Sequence, residues 1–307
     1  MSPRLRRRRT EPAEQNAAGT GPTATTTVTE QPAEDPAQEA AADAAQEPAA
    51  ATASTTPAEA APTPATDRER RRTLLHSTPV LLLRAAHPRQ GVLTAAGIAG
   101  AAALSGRPGR EVALVLATVL VGQAVLGWHN DLVDRRRDAQ RLPSGKPIAD
   151  GYLDPGTAWF ALGCGVLLLV PLAISNGITA GCCYLASVAI GLLGNLVLRK
   201  GWFSWVTWAA AYALYPAFLS YGGWGGQTEG DPPEVVMVVL AAALGVGVHF
   251  LCALPGLVAD HEDGFRHLPL RLALRVGATR LLLVSLAWTA LALVALLLVG
   301  NAVGLSQ

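Results

Sequence analysis

Aromatic side chains are missing from the first 78 positions of this 307-residue chain. Residues 1–75 are mostly Ala, Thr, Pro, Glu and Gln, and such a segment cannot bury enough apolar surface to offset the entropy of ordering it. The expectation is a disordered tail over 1–75. Its basic start, Arg4 and Arg6 to Arg9, has no apolar stretch behind it, which argues against a secretory signal peptide. A solvated polybasic tip resting on anionic lipid is compatible with that pattern. Cysteine is scarce. Cys164, Cys182, Cys183 and Cys252 all sit in apolar segments without metal-ligand spacing, so they read as small packing residues rather than disulfide or zinc partners. Lysine is confined to Lys146 and Lys200, against 22 arginines. No acidic residue follows Asp263.

What remains is largely apolar. Half of the chain is hydrophobic, and beyond Pro79 it collects into long runs. A membrane-crossing helix needs about 20 predominantly apolar residues. Seven segments qualify as candidates, near 88–105, 110–129, 156–175, 177–198, 202–222, 234–254 and 278–300. Several are rich in Gly and Ala, as close helix packing in lipid requires. Trp159, Trp202, Trp205 and Trp224 fall near their ends, where interface anchors belong. The fold class is therefore all-α, a transmembrane bundle of about seven spans over 79–303.

Charge orients the bundle. Arg68, Arg70 to Arg72, Arg84 and Arg89 precede the first span. Arg135 to Arg137, Arg141 and Lys146 follow the second, Arg199 and Lys200 the fourth, and Arg266, Arg271, Arg275 and Arg280 the sixth. All fall on one side if the spans alternate. The opposite links carry little positive charge apart from Arg107 and Arg110. The positive-inside rule then puts the N-terminus and both acidic loops in the cytoplasm of a multi-pass membrane protein.

The first acidic loop is the stretch Asn130-Asp131-Leu132-Val133-Asp134-Arg135-Arg136-Arg137-Asp138. If the second span continues as helix, Asn130, Asp134 and Asp138 follow each other at i, i+4, i+8 along one face, with Asp131 bordering it. Like charges at that spacing oppose helix stability by a few tenths of a kcal/mol per pair. Bound Mg²⁺ would reverse the sign, since it takes carboxylate oxygens and water and bridges to phosphates. The other reading is a solvated helix end, its acids balanced by the three arginines. The second acidic loop, Asp260-His261-Glu262-Asp263, lies on the same face of the membrane. Arg141 and Lys146, in a turn-rich Pro143-Ser144-Gly145 stretch, supply the cations a diphosphate calls for.

Asn130-Asp131-x-x-Asp134-x-x-x-Asp138 followed by Arg141-Leu142-Pro143-Ser144-Gly145 resembles the first signature of the UbiA superfamily of intramembrane prenyltransferases. Asp260-x-x-x-Gly264-x-Arg266-x-Leu268-Pro269-x-Arg271-Leu272 resembles its second. The resemblance runs over about residues 80–300. It implies a helical bundle whose central cavity opens to the cytoplasm and sideways to lipid. In that family two Asp-rich motifs hold Mg²⁺ on an isoprenyl diphosphate, the C–O bond ionises, and a hydrophobic acceptor, aromatic or lipid, captures the allylic cation. By position, Asp134, Asp138 and Asp260 become the catalytic acids. Asn130, Asp131, Asp134, Asp138, Asp260 and Asp263 become the metal set. Asn130, Arg141, Lys146 and Arg199 become the diphosphate contacts. The expected partners are the isoprenyl diphosphate, the acceptor and the bilayer, with no nucleic acid.

The chain departs from the family pattern in three places. Gly256 stands where the second signature usually begins with Asp, and Asn195 stands where a Tyr often precedes the basic residue. Most members have nine spans against the seven read here. A terpene cyclase or a catalytically impaired protein of the same fold stays compatible with the pattern. Asp260-His261-Glu262-Asp263-Gly264 also resembles the start of the CDP-alcohol phosphotransferase motif, but His267 and Leu268 replace its Ala-Arg and its later acids are absent. A carrier is disfavoured because the mid-span positions hold almost no charge, His249 being the nearest, and a lone His there reads as a packing residue.

Overall fold

The computed structural model describes residues 76–223 and 230–303, and all regular structure among them is helical. The tail 1–75 and Trp224 lie outside the described residues. The helices are α1 (Thr78–Ala85), α2 (Pro88–Leu104), α3 (Gly109–Asp138), α4 (Pro155–Ile174), α5 (Ile178–Leu193), α6 (Ser204–Ala213), α7 (Tyr215–Ser220), α8 (Val235–Ala253), α9 (Leu257–Glu262), α10 (Leu268–Val276) and α11 (Ala278–Val303). Their starts follow local chemistry. Pro88 and Pro155 occupy the first helical position, where a missing N–H is no loss. The Asp154 carboxylate accepts from Thr157 N at 2.8 Å and caps α4.

Five helical stretches are long and apolar enough to cross a membrane: Gly109–Asp138, Pro155–Ile174, Ile178–Leu198, Val235–Glu262 and Ala278–Val303. Two of the seven expected spans take another form. The first is α2, a helix of 17 residues. The fifth is broken at Leu214 into α6 and α7. Pro216 explains the break, because its ring cannot donate to Tyr212 and collides with that carbonyl. Outward faces of the bundle are apolar: Phe160 and Leu167 on α4, and Leu283, Val284 and Leu298 on α11, are exposed. Trp159 and Trp202 are exposed as well. Cys164, Cys182 and Cys252 are exposed and free rather than packed into the core, and Cys183 is half-buried.

The connections gather at two ends. At one end Arg107 donates to the carbonyls of Leu219 and Gly222, the latter at 2.6 Å, and Asn176 O accepts from Gly223 N at 2.7 Å. Arg107, an exception to the charge asymmetry, thus caps a helix end. At the other end Arg266 N donates to Lys200 O at 2.9 Å, and Arg137 of α3 reaches Asp260 of α9 and Asp263 just after it. The main core packs α2, α3, α4, α5 and α7 around Val115, Val119, Tyr184 and Phe218. A second core of Leu81, Ala85, Leu132, Ile148, Leu153 and Ala158 fastens α1 and the loop 139–154 to the end of α3.

Close helix approach depends on glycine at two places. A Cβ on Gly245 would stand 2.6 Å from Trp208 O, where α8 meets α6. A Cβ on Gly127 would stand 2.7 Å from the Ala86 carbonyl, where the α1–α2 turn lies on α3. Gly127→Ala should therefore destabilise the fold by about 1–3 kcal/mol, because backbone rather than a movable side chain stands in the way. Gly97→Ala, which meets nothing within 4 Å, should leave stability unchanged. Melting of the detergent-solubilised protein checks this; equal melting temperatures for both variants would contradict the packing.

Candidate functional site

α3 is 30 residues long. At 1.5 Å per residue it spans about 45 Å, roughly 15 Å more than a hydrocarbon core. The surplus is Asn130 to Asp138, so the expected continuation of the helix is what the structure has. Asp131 and Asp134 are nonetheless buried, at 2 % and 5 % exposure. Charged groups so placed need partners, and each has one brought from elsewhere in the chain.

Asp131 Oδ1 meets His87 Nε2 at 2.9 Å and Lys146 Nζ at 3.1 Å. Lys146 also meets Asp138 Oδ2 at 2.8 Å. Burial works to lower the Lys146 pKa, but Asp131 and Asp138 more than offset it and hold the ammonium charged above the ordinary lysine value. The loop bearing Lys146 is closed on itself: the Asp150 carboxylate accepts from Ser144 N at 2.7 Å, Ser144 Oγ at 2.8 Å and Gly145 N at 3.0 Å, with Gly145 at φ 74°. His87 caps the start of α2 at φ 52°, the left-handed region, which is strained by about 1–3 kcal/mol for a residue with a Cβ.

Asp134 pairs with the Arg199 guanidinium. Arg199 follows a π-helical turn, Gly194–Leu198, that ends α5. Such turns shift the phase of a helix and recur at functional sites. Asn195, in that turn, lies 3.4 Å from His129 Nδ1. On the second acidic loop Asp260 Oδ1 meets Arg137 at 2.5 Å and its Oδ2 meets His267 Nε2 at 2.9 Å. Asp263 pairs with Arg137 and, at 2.6 Å, with Arg141, which also reaches Glu262 at 3.3 Å.

These groups surround one cavity of about 700 Å³. Asn130, Asp134, Asp138, Lys146, Arg199 and Asp260 line it together with Arg137 and His267. Its far wall is aromatic: Trp208, Tyr212 and Tyr215. Ser204 Oγ and His249 Nε2, 3.0 Å apart, form a polar pair on that wall. Asp131, Arg141 and Asp263 are not on the wall; they hold the residues that are. His87, Arg137 and His267 were not singled out from the sequence. His87-Pro88 as a helix start was the available hint, while the Arg137 and His267 contacts span 123 and 7 positions respectively and were not legible from local pattern.

The fit to a divalent metal differs between the two loops. Among the described residues the buried Asp131 Oδ2 accepts no hydrogen bond. Asp134 Oδ1 and Asp138 Oδ2 are each met by a single cation, Arg199 and Lys146. Mg²⁺ takes such oxygens. Among the described residues no three His, Cys, Asp or Glu side chains already converge as a metal cluster. On the second loop, every Asp260 and Asp263 oxygen carries an Arg or His donor.

The chain is thus a helical bundle with membrane-length apolar helices around a cavity lined by both charged and aromatic side chains. Residues 91–306 match the UbiA prenyltransferase family, and the chain belongs to that family. Two solved structures share its fold. One is a UbiA homolog from Archaeoglobus fulgidus bound to GPP and Mg²⁺, with TM-score 0.55 and 16 % identity over 70 % of this chain and 76 % of that one. The other is a UbiA homolog from the same organism bound to DMAPP and Mg²⁺, with TM-score 0.54 and 18 % identity over 70 % and 75 %. No curated protein matches the chain.

The loop pairing makes a pH prediction. Asp263 lies beyond the membrane helices, and its hydrogen bond from Arg141, helped by Arg137 and opposed by slight burial, holds its carboxyl below the ordinary range. A carboxyl with a depressed folded pKa stabilises the fold above its unfolded value, near 4, and loses that contribution as pH falls through the folded value. The melting temperature should drop as pH goes from about 5 to about 3, and Asp263→Asn should flatten that slope. An unchanged slope in the variant would remove Asp263 from the account.

Proposed function

We propose that this chain is a Mg²⁺-dependent membrane prenyltransferase that moves an isoprenyl group from its diphosphate to a hydrophobic acceptor, aromatic or lipid. The observation that carries the reading is the division of one cavity into two chemistries. One part of its lining holds the carboxylates of Asp134 and Asp138 paired with Arg199 and Lys146. Another holds the aromatic faces of Trp208, Tyr212 and Tyr215, with the Ser204–His249 pair beside them. An isoprenyl diphosphate has the same division.

Asp134 and Asp138, with Asn130 and the supporting Asp131, would hold the metal. Mg²⁺, when bound, would supply positive charge that offsets the negative charge of a diphosphate leaving group. Lys146 and Arg199 donate N–H groups to phosphate oxygens, the Arg in a planar fork suited to two at once. Without substrate, these cations neutralise Asp131, Asp134 and Asp138 and keep the buried acids compatible with the fold. Trp208, Tyr212 and Tyr215 exclude water from the prenyl chain, and their π-faces favour positive charge on an allylic carbon. The Ser204–His249 pair, beside the Trp208 ring, is where a hydroxyl or other polar group of the acceptor finds a hydrogen bond.

The same reading extends to topology. α2 and the broken α6–α7 segment cross with the five long helices, giving seven passes. The Arg-rich end that carries the cavity mouth faces the cytoplasm, since Arg and Lys are retained on that side. Turnover of geranyl diphosphate by the purified protein with candidate acceptors tests the assignment. Asp134→Asn and Asp138→Asn should each lower diphosphate release on the order of 10²-fold, the usual scale for losing a group aimed at developing charge. Equal release by wild type and both variants would sink it.

A further inference from the structure

We propose that the site is one-sided in its metal chemistry: a metal ion serves the first acidic motif only, and Arg137 takes its place against the diphosphate on the second. The inference rests on the reading of the cavity as a prenyl diphosphate site and adds to it which groups meet each side of that anion.

The first observation is a bare position beside Asp260. Residue 256 carries no side chain, and a Cβ built there would lie 3.3 Å from Asp260 Oδ2. A carboxylate at 256 would face Asp260 and make an acidic pair; with glycine, Asp260 is the lone acid of this wall. The second observation is that Asp260 is already satisfied. Its Oδ1 accepts from Arg137 at 2.5 Å. His267 secures Oδ2 through a fixed tautomer. Its Nδ1 accepts from Leu270 N at 3.1 Å and caps α10, so the ring proton sits on Nε2 and is donated to Asp260 at 2.9 Å. Removing Asp260 to a metal would strip the acceptor from two donors, the half-buried Arg137 and the buried His267. The first motif is less fully held: Asp131 Oδ2 is buried without a hydrogen bond, and Asp134 and Asp138 are each met by a single cation, Arg199 and Lys146.

The third observation is how Arg137 is held. It sits on α3 between Asp134 and Asp138 and lines the cavity. Asp260 and Asp263 grip its guanidinium from the second loop, and the Phe265 ring lies under it at 4.6 Å. Two of its five N–H groups serve those carboxylates, which leaves donors for phosphate oxygens. A guanidinium clamped on three sides is pre-oriented for an anion and loses little freedom on binding it. The second acidic loop is thereby an arginine holder.

The test counts ions. Full-length protein in detergent is titrated with Mn²⁺ in the presence of geranyl S-thiolodiphosphate, which cannot readily ionise, and free Mn²⁺ is read by electron paramagnetic resonance. Wild type should bind one Mn²⁺ per chain, Asp260→Asn should still bind one, and Gly256→Asp should bind two. Arg137→Lys, which keeps the charge that Asp260 and Asp263 need, should retain one ion while weakening the analogue about tenfold through loss of the fork. Two ions in wild type, with one lost in Asp260→Asn, would overturn the proposal and leave the prenyl diphosphate reading intact. No Mn²⁺-dependent binding of the analogue would overturn both.

Discussion

Asp131, Asp134 and Asp260 are at most 9 % exposed, at the polar end of a bundle whose outer surface is apolar. A carboxylate withdrawn from water loses hydration worth far more than one neutral hydrogen bond returns, so each must be met by positive charge or multiple donors. Much of the architecture at this end meets that demand. Lys146 arrives on a loop locked by Asp150, Arg199 on a π turn, His87 on a strained helix start, and Arg137 from α3 itself. These pairings tie α1–α2, α3, the 139–154 loop, the end of α5 and α9 together around one cavity. The apolar packing beneath, with Gly127 and Gly245 letting backbones close, brings the charges within reach.

The same constraint underlies the proposed function. On that proposal, the buried acids exchange their protein cations for a metal and an anion bound together. Such an exchange would keep the acids compensated throughout, so that the empty and loaded states are both compatible with the fold. The two loops differ in how far they can take part. In the first, Asp134 and Asp138 are each met by one cation, and Asp131 Oδ2 has no hydrogen bond. The second has no aspartate oxygen free, because Arg137, Arg141 and His267 have claimed them all.

Much of this was legible in the sequence where it depended on local periodicity. The i, i+4, i+8 run of Asn130, Asp134 and Asp138 marked one helix face, and α3 does carry it. The clustering of arginine after alternate apolar segments marked which connections share an end, and their contacts follow that grouping. Legibility stopped where structure depends on distant partners or on small changes of helical phase. The 202–222 run looked continuous, yet Pro216 divides it. The π turn before Arg199 leaves no signature in composition. Arg135 to Arg137 read as three equivalent border charges, and only the fold singles out Arg137 by bringing α9 against it. Cys164 and Cys182, expected inside the packing, are exposed, and Cys252 lines the cavity, because helix faces in a mostly apolar segment carry too little contrast to be told apart.

The central claim is that the buried acids exchange protein cations for a metal and a diphosphate taken up as a unit. Thermal melting of the purified chain with Mg²⁺, with inorganic pyrophosphate, and with both measures this directly, since a ligand that binds only the folded state raises its melting temperature. The account predicts that the shift with both present exceeds the sum of the separate shifts, and that Asp134→Asn removes the excess. Shifts that merely add, or an excess that survives in Asp134→Asn, would contradict it.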